Sequence, residues 1–177
     1  MEGCRVATDD DLPRLAELAR LAIAELTPMK GGDVFAAREA RGEPIEASLK
    51  ADLGDPDVRV LCGTLDGAVI GYAVVRLEGL GDGGRLGVLH DIFVELEARE
   101  VGVGEALVND VVEWCQAAGC IGIDSFALPG NRSTKNFFET FGFTARMIVV
   151  HKWLRERPVD AAIDAATHRA DEAESPP

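Results

Sequence analysis

The chain has 177 residues and a formal net charge of −13, from 31 acidic and 18 basic residues. This length is typical of one domain with a sizeable core, and the acidic balance argues against nucleic acid and anionic membranes as partners. No apolar run is long enough to span a bilayer, and the acidic N-terminus lacks a signal-peptide pattern. The four cysteines form no C-x-x-C pair, so we expect reduced core thiols, no metal site and a cytoplasmic protein.

The first half of the chain predicts helices and a β-hairpin. Apolar residues at helical spacing predict helices over residues 12–26, 34–41 and 45–53. Runs rich in β-branched residues predict strands over residues 4–7, 58–65 and 68–77. The last two strands flank Asp66-Gly67, a dipeptide typical of a tight hairpin turn.

The second half alternates strands and helices. Strands are predicted over residues 86–94, 121–128 and 144–153, and helices over residues 102–118 and 133–140. After Pro158 the composition becomes rich in Ala, Asp and Glu. We therefore expect a folded domain over residues 1–157 and an exposed or disordered tail over residues 158–177.

The loop that follows Val94 has the pattern of an anion-binding turn. Arg99, Gly102 and Gly104 give the spacing R-x-x-G-x-G between a strand and a helix. Backbone N–H groups and the positive end of the helix dipole favour an anion there, and glycine lets a phosphate approach the backbone closely. A P-loop would need Lys after its last glycine, where this chain has Glu105.

This loop, the order of elements and the segment 131–143 together resemble the GNAT superfamily of acyl-CoA-dependent N-acyltransferases. Residues 131–143 are similar to the family signature N-x-x-A-x-x-x-Y-E-x-x-G-F. The resemblance covers residues 4–154. It implies a single α+β domain of α/β/α layers, whose mixed, mostly antiparallel sheet has strands four and five splayed around the cofactor. It also implies direct transfer of an acetyl group from acetyl-CoA to a primary amine of a small molecule or a protein, in a ternary complex.

The resemblance further implies which residues bind acetyl-CoA. Phe93 and Val94 would offer backbone groups to the pantetheine arm, and Asn131 would contact it from the far side. The helix that contains Ser133 and Phe138 would lie along the cofactor, with Ser133 either contacting a phosphate or capping the helix. The pyrophosphate would be wrapped by Arg99, Glu100, Val101, Gly102, Val103 and Gly104.

Three positions depart from the family pattern. Glu100 stands where the family usually has glycine, and Val101 where it often has a basic residue. Phe138 replaces the tyrosine that protonates the leaving thiolate, and Tyr72 is the only tyrosine in the chain. An alternative to the enzyme is therefore a catalytically weak domain that binds acyl-CoA as a sensor or interaction module.

His90 is the leading candidate for the base that accepts the amine proton, the alternative being a structural histidine that bonds a neighbouring backbone group. It lies four residues before Val94, where many family members have Glu, and imidazole changes its charge near neutral pH. Strand alternation directs Asp91 to the opposite face, where it acts through a water or anchors a neighbouring strand or loop. Ser125, in the fifth strand, is either a proton donor to the thiolate or structural.

Acidic residues are concentrated in the segments that wall the acceptor pocket in this family. These residues are Glu39, Glu43, Glu46, Asp52, Asp55 and Asp57. Either they attract a cationic amine, or they simply form solvated helix faces. The sequence leaves open which amine is acetylated and whether the protein forms a homodimer.

Overall fold

Five strands form one sheet in the order β1-β2-β3-β4-β5 in the computed structural model, which describes residues 1–154. The strands are β1 (Glu2–Val6), β2 (Val58–Leu65), β3 (Ala68–Gly79), β4 (Arg85–Val94) and β5 (Cys120–Ser125). Neighbours from β1 to β4 pair antiparallel, and β5 pairs parallel with β4. The mixed, mostly antiparallel sheet expected from the sequence is confirmed.

Helices cover both faces of the sheet. They are α1 (Leu12–Leu26), α2 (Gly32–Arg38), α3 (Ile45–Leu53), α4 (Val103–Ala117) and α5 (Arg132–Thr140). Leu15 of α1 and Leu49 of α3 belong to one buried cluster with Cys62 of β2. The next residue, Gly63, faces α4, because a Cβ at Gly63 would lie 2.6 Å from Val103. Neighbouring strand residues point to opposite faces, so the layers are α/β/α.

A second glycine lets α4 pack close to the sheet. A Cβ on Gly87 of β4 would lie 2.5 Å from the Cys115 sulfur, a separation that real Cβ atoms do not show. No side chain therefore separates the two at this point, and the end of α4 packs closely on the start of β4.

The predicted strand over residues 144–153 is wrong, because this segment has no regular secondary structure. Met147, Ile148, Val149 and Val150 are 68–90% exposed. A run of β-branched residues gives strand propensity only, and a strand also needs a partner edge. Strand β5 is shorter than predicted for the same reason, since its ladder with β4 stops at Ser125.

The chain divides into two compact units, Met1–Phe137 and Phe138–Pro177, with the boundary inside α5. The first contains the sheet and α1 to α4. In the second, the rings of Phe138 and Phe143 lie 5.2 Å apart. The predicted domain end at residue 157 and the tail after it lie outside the described residues. Within residues 1–154, no helix has both the length and the apolar character that crossing a membrane requires.

Candidate active site

Strands β4 and β5 separate part of the way along β4. Their ladder ends at the pair Leu89–Ser125, where the Ser125 hydroxyl donates to the Leu89 carbonyl at 3.4 Å. From there to Val94, β4 pairs only with β3. The expected splay of strands four and five is confirmed, and we call the unpaired side of residues 90–94 the open edge.

Ile92 and Val94 direct their backbone groups to the open edge. The Glu95 N–H donates to the Ile70 carbonyl at 2.9 Å, so Glu95 faces the β3 side. The Phe93 carbonyl faces that side too, because a Cβ on Gly71 would lie 2.8 Å from it. Along an antiparallel strand, the N–H and C=O groups of successive residues point alternately to one side and the other. Those of Ile92 and Val94 therefore point to the open edge.

Phe93 therefore contributes a buried ring and not free backbone groups. Its side chain belongs to the core cluster and is 9% exposed. Ile92 was not among the predicted site residues, although it lies two residues before Val94 and therefore shares its edge of the strand.

A β-bulge lies at His90, where the splay begins. Val74 pairs with Asp91 and Val75 with Leu89, so His90 is the extra residue of β4. The bulge interrupts side-chain alternation, and His90 and Asp91 both line one cavity of about 230 Å³. The prediction that Asp91 points away from the face of His90 is therefore wrong.

This cavity, which we call the ion-pair cavity, is organised around Arg41. It is lined by Glu39, Arg41, Asp52, Val74, Arg76, His90 and Asp91. The Arg41 guanidinium donates to Asp91 at 2.7 and 3.0 Å and lies 2.7 Å from Asp52. Only 13% of the Arg41 side chain is exposed.

Asp91 is also held by Tyr72, whose hydroxyl donates to its other carboxylate oxygen at 3.3 Å. Burial raises the pKa of Tyr72 well above its ordinary value, so the phenol keeps its proton. Both oxygens of Asp91 are thus engaged, and Asp91 anchors the segment between α2 and α3 to β4. This is one of the two roles expected from the sequence.

Most of the acidic residues expected to attract a cationic amine are paired with arginines. The ion pairs are Glu39 with Arg38, Glu43 and Glu46 with Arg20, Asp52 with Arg41 and Arg76, and Asp55 with Arg76. The hydrogen bonds from Arg20 lower the pKa of Glu43 to about 2. Much of the negative charge of these segments is therefore neutralised within the protein.

His90 lines the ion-pair cavity and is partly exposed. Its imidazole side chain is 43% exposed, and Nε2 lies 3.9 Å from the Glu78 carboxylate. Its ring centroid is 6.2 Å from that of Phe126, just beyond β5. His90 thus lies where β4 and β5 part, beside the Glu78 carboxylate.

The Arg99 side chain is turned towards α1. Its guanidinium binds the Glu25 carboxylate at 2.6 and 3.1 Å, and its Nε donates to the Val94 carbonyl at 3.0 Å. It also lies 5.5 Å from the centre of the Phe93 ring. The Arg99 charge is neutralised by Glu25. An anion at this loop would therefore be bound chiefly by backbone N–H groups.

Those N–H groups belong to the first turn of α4. The first helical bond runs from Ala106 to the Gly102 carbonyl, which leaves the N–H groups of Val103, Gly104 and Glu105 without helical partners. Gly102 has a left-handed φ of 89°, and so does exposed Glu100, at 71°. The turn thus uses at Glu100 a conformation that favours glycine.

The glycines of the loop also have packing roles. A Cβ on Gly104 would lie 3.3 Å from the Phe137 ring, and one on Gly102 would lie 3.3 Å from the Glu2 side chain. Val103 is buried and Val101 is 41% exposed. Glu2 and Glu100 place carboxylates around a turn that otherwise suits an anion.

Asn131 caps α5. Its side-chain oxygen accepts the Thr134 N–H at 3.2 Å and the Ser133 hydroxyl at 2.9 Å. The cap is therefore Asn131 and not Ser133, and the amide NH₂ of Asn131 remains to donate to a ligand. Phe138, further along α5, is 6% exposed.

Comparison with known proteins supports the sequence resemblance. Residues 17–143 match the acetyltransferase (GNAT) family. Over 125 residues the chain is 30% identical to the "Probable glucosamine 6-phosphate N-acetyltransferase 2" of Oryza sativa subsp. japonica, covering 67% of this chain and 71% of that protein.

Solved structures share the fold. One is AAC(6')-Iy in complex with the bisubstrate analog CoA-S-monomethyl-acetylneamine, with a TM-score of 0.66, 22% identity, and 88% of this chain and 99% of that chain covered. Another is the ribosomal-protein-alanine N-acetyltransferase of Brucella melitensis biovar Abortus 2308, with a TM-score of 0.64, 15% identity, and coverage of 88% and 100%. The family match spans most of the chain and the fold agrees with it, so the chain belongs to the acetyltransferase (GNAT) family.

Proposed function

We propose that this N-acetyltransferase moves an acetyl group from acetyl-CoA directly to a primary amine of a small molecule, in a ternary complex. The open edge of β4 carries the proposal. It offers the backbone groups of Ile92 and the N–H of Val94 beside the start of α4. An extended molecule with amide groups, such as the pantetheine arm of CoA, pairs with such an edge as another strand does.

The groups around the open edge fit the rest of acetyl-CoA. The free N–H groups of Val103, Gly104 and Glu105 suit a pyrophosphate. The Asn131 NH₂, left free by its capping role, donates to the pantetheine arm. The nearby carboxylates of Glu2 and Glu100 oppose the phosphates, so we expect moderate affinity.

His90 acts as the base. It accepts the proton that the amine loses as its nitrogen attacks the thioester carbonyl carbon, and the carbon–sulfur bond breaks to release the CoA thiolate. Asp91 positions His90, because Arg41 and Tyr72 hold it next to the bulge. Ser125, at the end of the β4–β5 ladder, carries the hydroxyl best placed to protonate the thiolate.

The relatives indicate only the chemical class of the acceptor. The rice relative is named for glucosamine 6-phosphate, and the AAC(6')-Iy complex contains an acetylneamine analog. We propose an amino sugar as the acceptor.

A protein acceptor and a homodimer stay predictions, tested by acetylation of N-terminal peptides and by light scattering. We also propose a cytoplasmic location, because the cysteines are free thiols.

The test is release of free CoA from acetyl-CoA when amino sugars, aminoglycosides and peptides are offered in turn. We expect turnover with at least one amino sugar, together with its acetylated product by mass spectrometry. Binding of acetyl-CoA without turnover of any amine would favour the sensor or interaction module instead.

A variant of the loop tests the acetyl-CoA site. Gly102→Glu adds bulk and negative charge beside the free N–H groups of α4, and we expect calorimetry to detect no acetyl-CoA binding. Gly83→Glu is the matched control, because Gly83 has a similar φ of 86° in the turn between β3 and β4. Equal affinities in the two folded variants would place the cofactor elsewhere.

A further inference from the structure

A second cavity lies between the turn after α1 and the start of α5. We call it the basic cavity. It has a volume of about 420 Å³ and is lined by Met29, Lys30 and residues 129–133. Small-molecule sites typically have volumes of about 300–1,000 Å³, so the basic cavity has room for a molecule of sugar size.

The charged side chains that line the basic cavity are all positive. Lys30 and Arg132 line it from two parts of the chain, and its lining among the described residues includes no carboxylate. Neither side chain forms an ion pair within residues 1–154. By contrast, Arg14, Arg41, Arg76 and Arg99 all bind carboxylates.

The net charge of −13 repels anions at a distance, so binding an anionic group requires local positive charge. Arg132 has the forked donors that match phosphate oxygens, and Lys30 adds a point charge.

The basic cavity belongs to the same end of the molecule as the open edge. Glu25, in the last turn of α1, binds Arg99 directly after β4, and Lys30 follows a few residues later. On the other side, residues 129–133 follow the end of β5 at Ser125. A substrate in the basic cavity is thus bounded on one side by the turn after α1 and on the other by the segment that leaves β5.

We propose that Lys30 and Arg132 bind a phosphate monoester carried by the amine acceptor. The substrate class is then phosphorylated small amines, such as an amino sugar phosphate, and not polycationic aminoglycosides. This inference rests on the proposed function. The same chemistry occurs in the 3′-phosphate of CoA, so the experiment must separate the two sources.

The test compares Lys30→Gln and Arg132→Gln with the parent protein on glucosamine 6-phosphate and glucosamine. Charge-assisted contacts at an open site are worth about tenfold in binding each. We expect each variant to raise KM for glucosamine 6-phosphate about tenfold while KM for glucosamine is unchanged. Lys50→Gln and Arg85→Gln, which remove the same charges elsewhere on the same unit, are the controls and should leave both constants unchanged.

Two further measurements are needed. One distinguishes a phosphate on the acceptor from the 3′-phosphate of CoA, and the other distinguishes failure of this proposal from failure of the proposed function. If the variants instead weaken acetyl-CoA but not its 3′-dephospho form, the cavity binds the cofactor and the acceptor assignment is overturned. Binding of glucosamine 6-phosphate alone, followed by calorimetry, does not depend on turnover. Loss of that binding in the variants supports the cavity even if no amine is acetylated. Variants that behave like the controls in both assays overturn the proposal.

Discussion

The ion-pair cavity and the basic cavity both contain cationic side chains, but these have different surroundings. In the ion-pair cavity, Arg41 lies between Asp52 and Asp91 and is almost buried. In the basic cavity, Lys30 and Arg132 face open space without a carboxylate partner among residues 1–154. A cation satisfied by buried carboxylates fixes the position of the elements that carry them, whereas an unpaired cation at the surface is available to a ligand. We therefore assign positioning to the first cavity and recognition to the second.

Removing the central cation of the ion-pair cavity should have the largest effect. Arg41→Ala leaves Asp52 and Asp91 close together in a poorly solvated site. We expect the free energy of unfolding to fall by about 3–5 kcal/mol, as when one partner of a buried ion pair is lost. The midpoint of urea denaturation measures this change.

Arg38→Ala is the matched control. Arg38 is 76% exposed and pairs with Glu39, and an exposed pair contributes at most about 1 kcal/mol. Equal losses of stability in the two variants would show that the ion-pair cavity contributes no more than an ordinary surface pair.

Replacing the base should reduce turnover and change its pH dependence. We expect His90→Gln to lower kcat/KM about 10²-fold, within the range of general base catalysis. In the parent protein the rate should fall as the pH is lowered, because a protonated imidazole cannot accept the amine proton. His90→Gln should lack that imidazole-dependent fall.

His151→Gln serves as the control, since His151 is exposed and its ring packs on Trp153. An unchanged acid limb in His90→Gln, with the same kcat/KM as the control, would mean that another group or bulk water accepts the proton.

The parts of the fold that depend on neighbouring residues were predictable from the sequence. The expected bounds of α3 and β2 agree with the structure, because Pro44, Gly54 and the Asp66-Gly67 turn mark their ends locally. The turn before α4 was found in the same way, from glycine spacing between a strand and a helix.

The parts that depend on distant residues were not predictable. The bulge at His90 arises from the pairing of β4 with β3, so strand alternation wrongly placed His90 and Asp91 on opposite faces. Arg41 is separated from Asp91 by 50 residues, and nothing near Arg41 in the sequence indicates that partner. Lys30 and Arg132 share a cavity only because the fold brings two turns together.

Phe138→Tyr tests whether the thiolate needs a better proton donor than the Ser125 hydroxyl. By the family signature, the hydroxyl introduced at position 138 would take that role. Thiolate leaves readily because its pKa is about 8.5, so we expect kcat to rise by no more than about tenfold. Phe143→Tyr, at the ring that packs on Phe138, is the control and should leave kcat unchanged. Equal kcat in both variants would show that protonation of the thiolate does not limit turnover.

The smallest effect is expected at Glu100, where charge and backbone conformation can be separated. Glu100→Gln keeps the left-handed φ of 71° but removes the carboxylate from the loop that precedes α4. We expect KM for acetyl-CoA to fall about twofold at low salt, in keeping with the few tenths of a kcal/mol of an exposed charge at a helix end. The gain should vanish in about 1 M salt, where the screening length is about 3 Å.

Glu100→Gly removes the carboxylate and the strain together. Relief of the left-handed strain raises the free energy of unfolding by about 1–2 kcal/mol. The greater freedom of glycine in the unfolded chain lowers it by about 0.5–1 kcal/mol. We therefore expect the same KM as for Glu100→Gln but a slightly higher free energy of unfolding. A KM at low salt equal to that of the parent protein in both variants would show that the Glu100 carboxylate points away from the phosphates. In that case the acidity of the loop would not explain a moderate affinity for acetyl-CoA, and Glu2, beside Gly102, would be the next carboxylate to replace.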